Sequence, residues 1–124
     1  MKYLILIQSN AAVADMFAAM TDEQRSAAYE LYWSIESDLE ASGELVESKA
    51  LDERGQRVVT RTGDVVTDAP LPETTEVVSG FYLVDVAGPE RAHEIAARFP
   101  EAAVGGIRVA RTLTAEDFQA AGFM

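Results

Sequence analysis

Apolar positions in the first third of the chain follow two different patterns. Residues 3–7 form an uninterrupted apolar run, which predicts a strand buried on both faces. Residues 11–20 are mostly small and fit either a short helix or a loop. Across residues 22–42, apolar positions recur at steps of three and four, the spacing of an amphipathic helix. The predicted core positions of this helix are Ala28, Leu31, Tyr32, Ile35 and Leu39.

Local signals mark both ends of this helix. Thr21 and Gln24 match a capping box, in which the threonine hydroxyl accepts a hydrogen bond from the main chain three residues later. Gly43 can adopt the left-handed conformation that often ends a helix. The helix is therefore expected to run from Asp22 to Ser42.

Two large aromatic residues of this helix lie away from its core positions. Tyr29 and Trp33 are four residues apart and share a face of their own. Leaving so much apolar area in water is costly. Either another segment of the chain covers them, or they belong to a subunit interface or to the wall of a ligand pocket.

The second half of the chain alternates between strand and helix patterns. Asp68–Thr75 carries two prolines, which hold the preceding residues extended and predict a stiff, ordered loop. Pro89 at a first helical position predicts a second long helix, with Ala92, Ile95, Ala96 and Phe99 buried. The other predicted elements are strands at 44–51 and 80–86, a turn at Gly105-Gly106 with a last strand up to residue 113, and a hairpin over 57–68 with its turn at 62–64. A short helix, capped by Thr114 and anchored by Phe118, is predicted at the end.

This order of elements predicts an α+β fold with helices on one face of a mostly antiparallel sheet. Its two β-α-β arms favour a ferredoxin-like arrangement. Residues 1–124 are expected to form a single domain with a helical tail at about 113–124. The other sheet face would carry apolar residues, so we expect a second copy of the chain to cover it in a homodimer.

Composition narrows the classes of partner and chemistry. The chain has 10 basic and 21 acidic residues, a net charge of −11, which disfavours nucleic acids and anionic membranes as partners. It has no cysteine, which excludes disulfides and thiolate chemistry and is typical of a cytoplasmic protein. Its apolar N-terminal run is too short to span a bilayer. No spacing typical of a metal site or a phosphate-binding loop is present, so neither metal nor cofactor is expected.

Three stretches of the sequence together resemble the YCII-related family. They are "MKYLILI", "VTDAPLPETTEVVSGFYLVDV" and "AARFPEAAVGGIRVAR". The second resembles the motif T-D-G-P-F-x-E-x-K-E of the DGPF-domain branch, which is common in bacteria. The resemblance extends to about Arg111. Here Ala69, Leu71 and Thr75 replace the glycine, phenylalanine and lysine of that motif.

The resemblance implies a dimeric ferredoxin-like α+β barrel. Some DGPF proteins accompany extracytoplasmic-function sigma factors or are fused to them, so a sigma factor is a candidate partner. Some YCII relatives are lyase-like or isomerase-like enzymes with a His-Asp pair whose histidine lies early on the first helix. This chain has one histidine, His93, on the second predicted long helix, which argues against transferring that chemistry.

Three residues are candidates for acid–base chemistry. His93 is a base only if a carboxylate holds it, and otherwise a solvated helix residue. Asp68 either braces a turn through its side chain or acts as a base or ligand anchor at the mouth of a pocket. Asp85 shares a strand face with Phe81; it is either solvated at the strand end or paired with an arginine such as Arg108.

These residues support three functional hypotheses. The first is a small-ligand-binding or regulatory module, with a pocket formed by Tyr3, Trp33, Phe81 and Tyr82 and a polar anchor from Asp68, Asp85 or Arg108. The second is a lyase or isomerase that uses Asp68, Asp85 or His93 on a small organic acid or ring compound. The third is a module that binds a sigma factor.

Overall fold

The computed structural model describes residues 1–61, 65–66 and 77–122. Its strands are β1 (Lys2–Ser9), β2 (Leu45–Ala50), β3 (Val58–Val59), β4 (Val65–Val66), β5 (Val77–Asp85) and β6 (Ile107–Arg111). Its helices are α1 (Ala11–Ala18), α2 (Asp22–Ser42), α3 (Pro89–Ala96) and α4 (Ala115–Ala120), with a 3-10 helix at Pro100–Val104.

Four strands form an antiparallel sheet in the order β2-β5-β1-β6. The first and third of these strands in sequence are the central ones, which is the ferredoxin-like order, so the predicted α+β fold is confirmed. The hairpin β3-β4 lies between β2 and β5 in sequence and forms a separate two-stranded sheet. Its predicted turn at 62–64 and the predicted stiff loop at 68–75 lie outside the described residues.

Alternation along β1 and β5 gives the main sheet two distinct faces. Tyr3, Ile5 and Val84 lie on the face that packs against α2 and α3. Ile35 and Leu39 from α2 are completely buried against it. The predicted core positions Ala92, Ile95 and Ala96 of α3 are buried as well, and so is Phe99, which follows the end of α3. Leu31 and Tyr32 are only partly buried against this core.

The opposite face of the sheet, which we call the open face, carries a row of apolar residues. Leu4 pairs with Leu83, and Leu6 pairs with Phe81, across β1 and β5. All four side chains are half-buried. The helices α2 and α3 lie on the other side of the sheet and do not cover them.

The limits of α2 agree with its predicted start and end. Thr21 accepts a hydrogen bond from the main chain of Gln24, whose side chain accepts one in return. Gly43 ends the helix with φ 77°. Thr114 caps α4 in the same way, but Phe118 remains 38% exposed, so this predicted anchor is only partly buried.

One element was not predicted. Residues Pro100–Val104 form a 3-10 helix, where the sequence suggested only the end of the second long helix and a turn. Pro100 occupies its start because a helix leaves its first N–H groups without partners, so a missing N–H costs nothing there.

No helix in the described ranges is long and apolar enough to cross a membrane.

Candidate functional site

A cavity of about 530 Å³ opens between α2 and the β2-β5 half of the sheet. This volume lies within the range of small-molecule sites in proteins. Residues from α2, from the strands and from the 3-10 helix line it, among them Tyr29, Tyr32, Trp33, Glu36, Ser48, Lys49, Tyr82 and Glu101.

The most unusual group in the cavity wall is the carboxylate of Glu101. This side chain is only 5% exposed. Its Oε2 atom accepts a hydrogen bond from the Tyr32 hydroxyl, 69 positions away in the sequence. Its Oε1 atom is buried and has no hydrogen-bond partner among the residues that the structure describes. A buried polar atom left without a partner costs about 1–3 kcal/mol, and such atoms are uncommon in folded proteins.

Two glycines fix the position of Glu101. Gly105, with φ 73°, ends the 3-10 helix in the left-handed conformation. The N–H of Gly106 donates to the Glu101 main-chain oxygen at 2.8 Å. A Cβ atom at position 106 would lie 3.0 Å from the Glu101 Cβ and 2.7 Å from a methyl group of Val13. Only glycine therefore fits here without moving Glu101 or the Val13 side chain.

Aromatic rings form much of the remaining wall. Tyr82 packs on the buried ring of Phe99 with centroids 4.9 Å apart, and Tyr32 packs on the same ring at 6.1 Å. Burial raises the pKa of Tyr82 to about 12, with a further contribution from Glu36 and Glu101. Burial and the Glu101 carboxylate also raise the pKa of Tyr32 well above its usual range. Both phenols therefore stay protonated at neutral pH.

A second carboxylate lies on the α2 side of the cavity. Glu36 accepts a hydrogen bond from the Ser48 hydroxyl, which joins α2 to β2. Both residues line the cavity. The cavity thus combines apolar ring faces with two carboxylates, a combination suited to binding a hydrogen-bond donor.

Tyr29 and Trp33 also line this cavity. They remain 58% and 70% exposed, so no described segment of the chain covers them. Of the alternatives left open by the sequence, the wall of a pocket agrees with their position. Trp33 is the only tryptophan in the chain, which makes it a natural fluorescent reporter for the cavity.

The structure separates the aromatic residues predicted to form one pocket. Trp33 and Tyr82 line the cavity, whereas Tyr3 belongs to the buried core and is 6% exposed. Phe81 and Arg108 pair with Leu6 from its two sides and so lie on the open face. Neither of them is among the residues that line the cavity.

Two of the three predicted acid–base residues, Asp85 and His93, also lie apart from the cavity. Asp85 is exposed at the end of β5, where its Oδ1 lies 3.1 Å from the terminal amine of Met1. His93 is exposed on α3. Asp68 lies outside the described residues. Asp85 and His93 do not share a cavity, and no group of three His, Cys, Asp or Glu side chains within the described ranges could hold a metal ion.

Comparisons with known proteins agree with this architecture. A family model of the YCII-related domain matches residues 1–114 of the chain. The chain belongs to the YCII-related family. A search of curated proteins finds no match to this YCII-related chain.

A solved structure of another protein has the same fold as this YCII-related chain. It is 5-chloro-2-hydroxyhydroquinone dehydrochlorinase (TftG) from Burkholderia phenoliruptrix AC1100 in complex with 2,5-dihydroxybenzoquinone. The two chains are 13% identical, the match covers 94% of this chain and 97% of that one, and the TM-score is 0.52. At this identity the comparison supports the ferredoxin-like fold and not an activity.

Sequence reasoning missed Glu101 as a site residue. A glutamate between proline and alanine near a glycine pair resembles an exposed loop acid. The available signal was that glycine pair, because Gly106 is needed where the main chain closes on Glu101.

Proposed function

We propose that this chain is a small-ligand-binding module whose ligand occupies the cavity and donates a hydrogen bond to Glu101 Oε1. The observation that carries the proposal is the buried carboxylate oxygen without a described partner. A donor group on a ligand would remove the cost of leaving that oxygen unpaired. The cavity volume of about 530 Å³ accommodates such a molecule.

The ring faces around the cavity favour a flat ligand. Tyr29, Trp33 and Tyr82 offer aromatic surface on more than one side, and stacked or edge-on ring contacts add to apolar burial. The neighbouring fold in complex with 2,5-dihydroxybenzoquinone supports ring compounds as the first class to test. A regulatory role would follow if binding such a compound changed the affinity for a partner such as a sigma factor.

The test is a titration followed by the fluorescence of Trp33. Hydroquinone and 2-phenylethylamine are suitable probes, because each combines one ring with a donor group. We expect Glu101→Gln to bind at least one of them about tenfold more weakly than wild type. Glu30→Gln, an exposed change of the same charge on α2, should bind as wild type does. Equal affinities for all three proteins would overturn the proposal.

A second candidate function is acid–base catalysis at the same place. Its supporting observation is that a protonated phenol, Tyr32, and a carboxylate, Glu101, are directly hydrogen-bonded in the cavity wall. A lyase or isomerase acting on a ring compound needs such a donor and acceptor. Asp68, which lies outside the described residues, remains a proposal for this chemistry, whereas Asp85 and His93 lie apart from the cavity. Turnover of a bound ring compound that Glu101→Gln abolishes would favour the enzyme over the binding module, and unchanged turnover in that variant would exclude this assignment.

We further propose that the open face mediates a homodimer. Leu4, Leu6, Phe81 and Leu83 form a contiguous apolar row there, and a second copy is the simplest cover for such a row. Native mass spectrometry should show a dimer for wild type and a monomer for Leu6→Lys. A wild-type monomer at micromolar concentration would contradict the dimer.

A further inference from the structure

Two carboxylates, those of Glu36 and Glu101, lie in the cavity wall. Among the described residues, Lys49 is the only basic residue that lines the cavity. Lys49 pairs with Phe81 across β2 and β5, so its side chain lies on the open face. Its Nζ atom is 3.5 Å from Glu47 Oε1 there. Among the described residues, therefore, no cationic side chain neutralises the two carboxylates.

The residues outside the described ranges carry no basic side chain either. Residues 62–64, 67–76 and 123–124 contain no lysine, arginine or histidine. Their ionisable residues are Asp64, Asp68, Glu73 and Glu76. None of these residues could therefore neutralise Glu36 or Glu101.

Besides burial, the pKa of Tyr82 reflects the negative charge of the two carboxylates. Glu36 and Glu101 both contribute to the raised pKa of Tyr82, after burial. Their negative potential favours a bound cation for the same reason that it disfavours a phenolate. Ring faces add to this preference, since a cation within about 6 Å of a tyrosine or tryptophan face is attracted to it.

Given the ligand site proposed above, on which this step rests, we infer that its ligand class is a small organic cation. The ligand would be a ring or short chain bearing a protonated amine. Its ammonium N–H would donate to Glu101 Oε1, while Glu36 and the faces of Trp33 and Tyr82 would surround the positive charge. The same two carboxylates disfavour organic acids by charge repulsion.

Three probes of nearly equal shape test this inference. They are 2-phenylethylamine, 2-phenylethanol and phenylacetate, which are cationic, neutral and anionic at neutral pH. Titration calorimetry with the full chain should show the amine binding at least about tenfold more tightly than the alcohol. Phenylacetate should bind most weakly. If the alcohol or phenylacetate binds as tightly as the amine, the cation preference is wrong.

Variants separate this inference from the proposal that it rests on. Glu36→Gln removes one charge from the cavity and should reduce the amine-to-alcohol affinity ratio by about threefold or more. Glu30→Gln removes one charge elsewhere on α2 and should leave the ratio unchanged; equal ratios in both variants would overturn the inference. If the neutral alcohol binds as tightly as the amine and its binding still depends on Glu101, the ligand site stands and the cation preference is wrong. If no probe binds, both the ligand site and the cation preference are wrong.

Discussion

Replacing Tyr32 by phenylalanine removes one hydrogen bond from the cavity wall and keeps the ring that packs on Phe99. The Tyr32 hydroxyl donates to Glu101 Oε2, and Oε1 has no other partner among the described residues. Tyr32→Phe therefore leaves a carboxylate that is 5% exposed without any described hydrogen bond. The effect on stability should be large for so small a change.

The expected magnitude follows from the kind of bond that is lost. A hydrogen bond to a charged group contributes about 1.5–3 kcal/mol. The ring contacts remain, so no cavity term is added. We expect Tyr32→Phe to lower the free energy of unfolding by about 2 kcal/mol, or roughly thirtyfold in the unfolding equilibrium constant.

Urea denaturation followed by circular dichroism measures this difference. Tyr29→Phe is the matched control, because it makes the same chemical change on the same helix at a side chain that is 58% exposed. It should shift the free energy by less than about 0.5 kcal/mol. If the two variants are equally stable, the Tyr32 hydroxyl does not hold Glu101, and the account of this site is wrong.

Two further predictions concern pH and packing. Hydrogen bonds from Arg91 lower the pKa of Glu44 from 4.5 to about 2, so this pair stabilises the fold above pH 4.5 and loses its contribution as the pH falls towards 2. Between pH 4.5 and 2, the free energy of unfolding should fall by about 1 kcal/mol more in wild type than in Arg91→Met, a modest difference because the pair is partly exposed. Equal decreases in the two proteins would contradict this prediction. Gly106→Ala should lower the free energy of unfolding by about 1–3 kcal/mol and weaken probe binding by moving Glu101. Gly55→Ala should have neither effect, because the nearest atom to a Cβ atom there, Asp52 Oδ2, is 4.0 Å away. A Gly106→Ala protein as stable as the Gly55→Ala control would show that the close approach at Gly106 is unimportant.

The sequence predicted best those features that depend on near neighbours. The limits of α2 follow from Thr21, Gln24 and Gly43, which act within a few residues. The buried positions of α3 likewise followed from their spacing within a short window of residues. The ferredoxin-like order of the sheet followed instead from the succession of elements along the whole chain.

The site was harder to predict because it is assembled over long separations. Glu101 meets Tyr32 only when the 3-10 helix folds back beneath α2. Tyr32 itself fits the core spacing of α2, and that spacing hides its polar role. Of the two alternatives that the sequence left open for Asp85, the exposed strand end agrees with the structure, because the residue ends β5 beside the terminal amine. The aromatic pair Tyr29 and Trp33 was the clearest sequence indication of a pocket.

The most direct test of the central claim is to locate bound 2-phenylethylamine by intermolecular NOEs. Tyr82 and Phe81 are adjacent in β5 but lie on opposite faces of the sheet, so their ring protons distinguish the cavity from the open face. We predict NOEs to the rings of Tyr82 and Tyr32 in wild type and their loss in Glu101→Gln. NOEs to Phe81 alone, or unchanged NOEs in the variant, would contradict the claim that Glu101 and this cavity form the ligand site.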